Sequence, residues 1–175
     1  HLQQPAAAVV VLGMRTEVIG QVVDPLGEQR NLFKLFLSDV GLLASQYAVN
    51  IAFDLLNGVS EINYGAIYEN LAAQELHAHG YNLYYFNSKR QGELDFVVED
   101  RGNVLPIEIK SGKDYKRHNA LSNVMATPEY NIPQGVVFSN GNLEVVGRIT
   151  YCPVYMLMFL QPQTFADAIF RFKPL

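Results

Sequence analysis

The sequence contains little of what disulfide bonding, membrane insertion or secretion would require. Cys152 is its one cysteine, so no disulfide can form within the chain, which favours a reducing compartment. Its longest apolar runs, such as AAAVVVL at residues 6–12, are much shorter than the ~20 residues of a membrane-spanning helix. No basic segment precedes them, as it would in a signal peptide. We therefore expect a soluble, cytoplasmic protein with no membrane partner.

An overall excess of basic side chains is also absent. The 13 Lys and Arg residues face 17 Asp and Glu residues, for a formal net charge of −4. This balance argues against a broad basic surface that binds nucleic acid through counterion release alone. Positive charge is nevertheless concentrated in KSGKDYKRH at residues 110–118. Lys113, Lys116 and Arg117 are therefore candidate contacts to a nucleic-acid phosphate, with a solubilising face as the simpler alternative.

The length of 175 residues favours one domain with a small appendage. Residues 1–30 contain RTEVIGQVV and the turn-forming sequence DPLG, a pattern typical of a short hairpin or wing. Residues 31–175 would form the domain. The chain begins with His1 rather than Met, so we expect it to be part of a longer protein. No G-x-x-x-x-G-K-[ST] phosphate loop, internal repeat or low-complexity tract occurs in it.

Helical patterns dominate the region before Gly80. An extended segment from Phe33 precedes a predicted helix that begins after Ser38 or Asp39 as N-cap and ends near Leu56. A second helix is predicted from about residue 62 to residue 79.

Extended patterns dominate after Gly80. Three runs rich in aromatic and β-branched residues predict a meander, with turns at KRQ and DRGN: YNLYYFNS, GELDFVVED and NVLPIEIK. A helix is predicted over residues 117–127. Three further strands are predicted in QGVVFSN, NLEVVGRI and VYMLMFL.

The strand NVLPIEIK carries a Glu and a Lys two residues apart. Because side chains alternate along a strand, Glu108 and Lys110 share one face, while Ile107 and Ile109 point into the core. On GELDFVVED the same rule places Asp95 on a face with Glu93, Val97 and Glu99, opposite Leu94, Phe96 and Val98. The hairpin turn around residues 101–103 can then bring Asp95 near Glu108.

Two neighbouring carboxylates and an ammonium on one sheet face are costly unless something compensates the paired negative charge. A divalent cation would compensate it, and carboxylate oxygens are ligands that Mg²⁺ prefers. The alternative is a salt bridge at a solvated strand edge.

These residues carry a resemblance to a known superfamily. Asp95 followed by Glu108, Ile109 and Lys110 resembles the PD-(D/E)xK motif of restriction-endonuclease-like phosphodiesterases, although Leu94 stands where the motif name has Pro. Gly65 and Glu69 resemble the G-x-x-x-E helix of the Holliday-junction-resolvase branch. More closely, four segments in series resemble the C-terminal domain of unknown function attached to a large family of prokaryotic AAA-type ATPases: FKLFLSDVGLL, GAIYENLAAQEL, GELDFVV and PIEIKSG.

The resemblance implies an α/β (α+β) fold with a restriction-endonuclease-like core. In it, a central mixed sheet is flanked by helices in the order helix, three strands, helix, strand, with extra strands. Residues 1–30 would end a preceding segment, such as a winged helix, and the ATP-binding domain of the same longer chain would lie upstream.

The resemblance also implies roles for single residues. Asp95 and Glu108 would bind Mg²⁺ or Mn²⁺, with the Ile109 carbonyl as a further ligand. Glu69 would bind a second ion or a metal-bound water. Lys110 would position or help deprotonate the attacking water and stabilise the charge that develops on the phosphate.

Two functions remain open from the sequence. The first is a Mg²⁺-dependent phosphodiesterase domain that acts on or binds nucleic acid. The second is a catalytically silent domain through which an ATPase recognises a protein or nucleic acid. Whether the domain is an enzyme is therefore left open, and homo-oligomers are compatible with either.

Overall fold

The computed structural model describes residues 11–13, 34–47, 49–59 and 64–162. Their helices and strands are, in chain order, β1 (Val11–Gly13), β2 (Leu35–Leu37), α1 (Val40–Ser45), α2 (Val49–Leu56), α3 (Gly65–Ala78), β3 (Tyr84–Ser88), β4 (Gly92–Asp100), β5 (Asn103–Lys110), α4 (Asn119–Ala126), β6 (Gly135–Ser139), β7 (Glu144–Val146) and β8 (Ile149–Pro153). Short 3₁₀ helices span Pro128–Tyr130 and Val154–Phe159.

Six strands form one mixed sheet, in the order β3-β4-β5-β6-β8-β7. β3, β4 and β5 are the antiparallel meander that the sequence predicts, whereas β6 is parallel to β5 and β8 is parallel to β6. A parallel pair needs a crossover connection, which α4 provides between β5 and β6. The predicted class, a central mixed sheet flanked by helices in the order helix, three strands, helix, strand, is confirmed.

Helices α3 and α4 cover opposite faces of this sheet. On one face, buried residues of α3 pack against the strands in a cluster that includes Ala72, Ala73, Leu76, Phe96, Val98, Ile107 and Ile109. On the other face, α4 packs against a second cluster that includes Leu94, Val97, Leu121, Val124 and Val137. β5 is therefore buried from both sides, as is usual for a central strand next to a parallel neighbour.

The segment that contains β2 is fixed to α3 by buried amide groups. The Asn70 side chain, only 2% exposed, accepts a hydrogen bond from the Leu37 N–H (2.8 Å) and donates one to the Leu37 carbonyl (3.1 Å). One turn further along α3, Gln74 Oε1 accepts from the Val40 N–H at 2.9 Å. These bonds hold residues 34–40 beside the helix.

The β4–β5 hairpin closes through the predicted tight turn. Asp100 pairs with Asn103, and the two residues between them have positive φ angles, 52° at Arg101 and 72° at Gly102. Positive φ at both central positions is the geometry that matches the twist of a two-residue hairpin. The turn thereby sets the register of β5 against β4.

Two predicted element boundaries are wrong. The single helix predicted up to Leu56 is two helices, because α1 ends at Ser45, whose hydroxyl donates to the Leu42 carbonyl at 2.8 Å. Asp39 is its N-cap as expected, accepting from the Leu42 N–H. The strand predicted in NLEVVGRI is likewise divided, because Gly147, at φ 59°, turns the chain between β7 and β8.

The strand predicted in VYMLMFL is also wrong, since these residues form a 3₁₀ helix after β8. Three of the apolar side chains that pack against the core, Val154, Leu157 and Leu160, are three residues apart, and Met156 packs there as well. This spacing suits a 3₁₀ helix, in which residues i and i+3 lie on one side.

The expected hairpin or wing in residues 1–30 lies outside the described residues, except for β1, which pairs antiparallel with β2. Among the described residues, no helix is both long enough and apolar enough to cross a membrane.

Asn70→Ala should destabilise the fold by about 2 kcal/mol, because the Leu37 N–H and carbonyl would lose their buried partner. Urea unfolding followed by circular dichroism measures the change. Asn57→Ala is the matched control, since the Asn57 amide donates to a carbonyl at an exposed helix end and should matter much less. Equal losses in both variants would contradict the importance of the Asn70 contacts.

Candidate functional site

An irregularity in β4 lies at the centre of the candidate site. Against β3, Tyr84 pairs with Val97 and Phe86 with Leu94, so β4 contains one extra residue in this interval. Leu94 accordingly packs with Val97 in the cluster beneath α4, whereas Phe96 packs with Val98 beneath α3. The predicted strict alternation, with Leu94 and Phe96 on one face, is therefore wrong. A β-bulge inserts such a residue and re-aims its neighbours.

The bulge turns the Asp95 carboxylate toward β5. Regular β4–β5 pairing runs from the turn to Phe96 and Ile107, and Asp95 would be the next residue in line. Instead, Asp95 Oδ2 accepts a hydrogen bond from the Ile109 N–H at 2.8 Å. A side chain thus replaces a main-chain carbonyl in the ladder and lies close enough to interact with the Glu108 carboxylate.

Glu108 and Lys110 form a close ion pair on β5. Lys110 Nζ donates to Glu108 Oε2 at 2.8 Å, and the Glu108 side chain is only 3% exposed while that of Lys110 is 30% exposed. The buried acid is therefore paired with a cation whose side chain is partly exposed to solvent.

A second lysine, Lys34, enters the same cluster from the residue before β2. Its Nζ lies 2.8 Å from Glu93 Oε1, 3.5 Å from Glu69 Oε2 and 3.8 Å from Asp95 Oδ1. The ammonium also lies over the Tyr85 ring, 5.2 Å from its centroid. Lys34 thus links the acid on α3 to the two acids on β4.

Two carboxylates of the cluster, those of Glu108 and Glu69, have raised pKa values. Burial raises the pKa of Glu108 to about 7, the Asp95 charge adds to this rise, and Lys110 opposes it. Burial also raises the pKa of Glu69, and Asp95 again adds to the effect. Burial lowers the pKa of Lys34, but Glu93, Glu69 and Asp95 together outweigh it, so the pKa is raised overall.

The four residues predicted as catalytic, Glu69, Asp95, Glu108 and Lys110, therefore lie in one electrostatically connected cluster. Lys34 and Glu93 belong to it as well, although no sequence pattern marks either as a site residue. Lys34 and the buried Phe36 are two residues apart, which places them on the same face of an extended segment and indicates that Lys34 points inward. The partners of Lys34, however, are 35 or more positions away in sequence. Sequence periodicity cannot identify such partners.

The donor set fits one hard cation better than two. Among the described residues, no group of three or more His, Cys, Asp or Glu side chains is arranged to hold a metal ion. Mg²⁺ commonly binds through one or two carboxylates and completes its shell with water and substrate phosphate. Asp95 and Glu108, on neighbouring strands, meet that requirement, and Glu69 lies on the far side of Lys34 from Glu108 in the chain of ion pairs.

The three predicted nucleic-acid contacts do not share one environment. Lys116 is paired with Glu144, at 2.7 Å, and lies over the Tyr151 ring. Lys113 and Arg117 are exposed, and no ion pair involves them within the described part of the chain. Of the three side chains, those of Lys113 and Arg117 are therefore the better candidates for contacts to a phosphate.

The chain belongs to the family described as "Domain of unknown function (DUF4143)", whose model matches residues 64–157, just over half of the chain. This segment contains Glu69, Asp95, Glu108 and Lys110, whereas Lys34 precedes it. Domains of this family are commonly found with AAA-type ATPases. No curated protein and no solved structure matches the chain.

The raised pKa of Glu108 predicts a pH-dependent stability in metal-free buffer. The folded protein holds the Glu108 proton more tightly than the unfolded chain does, so this contribution is present below about pH 4.5 and lost as the pH rises through about 7. Glu108→Gln should remove a loss on the order of 2 kcal/mol between pH 5 and pH 8.

Urea unfolding at several pH values measures this dependence. Glu144→Gln, at an exposed carboxylate, is the control and should retain the wild-type pH profile. A wild-type profile as flat as that of Glu108→Gln would show that folding does not raise the pKa of the Glu108 carboxylate.

Proposed function

We propose that this domain is a Mg²⁺- or Mn²⁺-dependent phosphodiesterase of the PD-(D/E)xK type that acts on nucleic acid. The observation that carries the proposal is the approach of Asp95 to Glu108 and Lys110 across two neighbouring strands. It depends on the bulge in β4 and on the hydrogen bond from the Ile109 N–H to Asp95. A salt bridge at a solvated edge would not need a carboxylate that is 3% exposed on a central strand.

Charge supports the same proposal. The acids Glu69, Glu93, Asp95 and Glu108 carry four negative charges when ionised, and Lys34 and Lys110 carry two positive ones. The remaining formal charge of −2 equals what one divalent cation neutralises. Carboxylate oxygens suit Mg²⁺ or Mn²⁺, and such an ion would keep several of its waters beside the two carboxylates.

In this proposal, Asp95 and Glu108 would hold the metal, which would supply Lewis-acid activation of the phosphate and of a bound water. The hydrogen bond from Ile109 fixes the Asp95 carboxylate, which limits the reorganisation needed for binding. Lys110 lies beside Glu108 and reaches solvent, so its ammonium could stabilise the charge on a phosphate that approaches from that side. Glu69 would act through Lys34.

The second candidate function is a catalytically silent interaction domain of an AAA-type ATPase. The observation that favours it is Lys34, which already neutralises part of the acid cluster without any metal. A domain that binds no metal would still need positive charge beside these acids, because buried carboxylates without partners are costly.

Metal should stabilise the wild-type protein. Binding raises the free energy of unfolding by RT ln(1 + [L]/Kd), about 2.7 kcal/mol at a hundredfold excess over Kd. Asp95→Asn keeps the shape of the side chain and an acceptor for Ile109 but lacks the charge, so it should lose this response. Thermal unfolding with Mg²⁺, Mn²⁺ or EDTA measures it, with the exposed Asp114→Asn as control.

Replacing Lys110 should abolish cleavage without abolishing metal binding. Lys110→Met should retain most of the thermal shift but lose cleavage of single-stranded and duplex DNA and RNA. A wild-type protein that melts identically in EDTA and in millimolar Mn²⁺ and cuts none of these substrates would overturn the phosphodiesterase proposal in favour of the silent interaction domain.

Binding of nucleic acid should weaken with salt and depend on Lys113 and Arg117. Each phosphate contact to duplex DNA contributes a slope of about −0.9 to log K against log [salt]. Lys113→Glu/Arg117→Glu should reduce the slope by roughly 2, since two contacts are lost. Lys116→Glu is the comparison, because Lys116 is already paired with Glu144, and its effect should be smaller. Fluorescence anisotropy at several salt concentrations measures all three, and equal slopes would place the contacts elsewhere.

A further inference from the structure

The Lys34 ammonium is the cation that three carboxylates of the cluster share. Its Nζ is surrounded by oxygens of Glu93, Glu69 and Asp95, at 2.8, 3.5 and 3.8 Å. The Lys34 side chain is 20% exposed, whereas those of Glu69 and Glu93 are 30% and 45% exposed. An ion from solvent could therefore reach these carboxylates, and a cleft of about 360 Å³ lies beside Lys34 and Glu69.

The ammonium is held in this position by the fold. The following strand β2 is fixed to α3 by the two Asn70 hydrogen bonds to Leu37, three residues after Lys34. The Tyr85 ring lies below the ammonium, at a distance where the face of an aromatic ring attracts a cation. Lys34 is thus a fixed charge rather than a loosely tethered surface lysine.

We infer that Lys34 is a built-in cation that makes the site a one-metal site. Asp95 and Glu108 would hold the single divalent ion, and the Lys34 ammonium supplies among Glu69, Glu93 and Asp95 the positive charge that a second ion would otherwise supply. The inference rests on the proposed function for the first ion only. Lys34 is a positioning residue, since it acts on the acids and not on the phosphate.

The test counts Mn²⁺ ions per chain by isothermal titration calorimetry and by the electron paramagnetic resonance signal of free Mn²⁺. Wild type should bind one ion. Lys34→Gln should bind a second, weaker ion, because the three carboxylates lose their ammonium. Lys34→Arg, which retains the charge, and Lys116→Gln, which removes a lysine outside the cluster, should each bind one.

A second variant keeps the test valid if Lys34→Gln fails to fold. Without the ammonium, the acids in Lys34→Gln repel each other more strongly. In Lys34→Gln/Glu93→Gln, one carboxylate is removed together with the ammonium, so the cluster keeps its wild-type formal charge of −2 while Glu69 and Asp95 are free of Lys34. This double variant should fold and also bind two ions. Circular dichroism verifies folding before each titration.

The possible counts distinguish this inference from the proposed function. One ion in wild type and one in both Lys34→Gln variants would overturn the built-in cation and leave the phosphodiesterase site intact. No ion in wild type but one in the Lys34→Gln variants would support the built-in cation and contradict the metal site at Asp95 and Glu108. Two ions in wild type would overturn the inference directly.

Discussion

The buried carboxylate of Glu108 is the constraint on which the rest of the site depends. It lies on the central strand β5, is 3% exposed and has a second carboxylate, that of Asp95, beside it. Removing a charge from water is expensive unless a partner compensates it, and two like charges increase the cost. The ion pair to Lys110 at 2.8 Å compensates only part of it, since burial and Asp95 still raise the pKa of Glu108.

The neighbouring structure serves to hold these charges where they are. The bulge in β4 takes Asp95 out of the regular ladder and lets its carboxylate accept from the Ile109 N–H. α3 contributes Glu69 and fixes β2, which places Lys34 among the remaining acids. A fold maintained only by its core would have no need for this arrangement, because apolar residues on β5 would pack at lower cost. The arrangement therefore favours a function for the charges.

Features with a local physical cause could be predicted from the sequence. The DRGN turn, the alternation on β5 and the Asp39 cap all follow from neighbouring residues, and the order of the helices and strands follows from periodicity. The 3₁₀ helix at Val154–Phe159 was missed, because a short apolar run without alternation fits several structures equally well. The bulge at Asp95 was missed because it depends on how β4 packs against β3 and two helices. Lys34 was missed because its partners are set by tertiary structure.

The most direct measurement of the central claim is anomalous diffraction from a crystal soaked in Mn²⁺. The account predicts one peak within about 2.2 Å of oxygens of both Asp95 and Glu108, with the Lys34 ammonium still bound to Glu93. No peak at these carboxylates, or a peak between Glu69 and Glu93 with Lys34 displaced from the cluster, would contradict it.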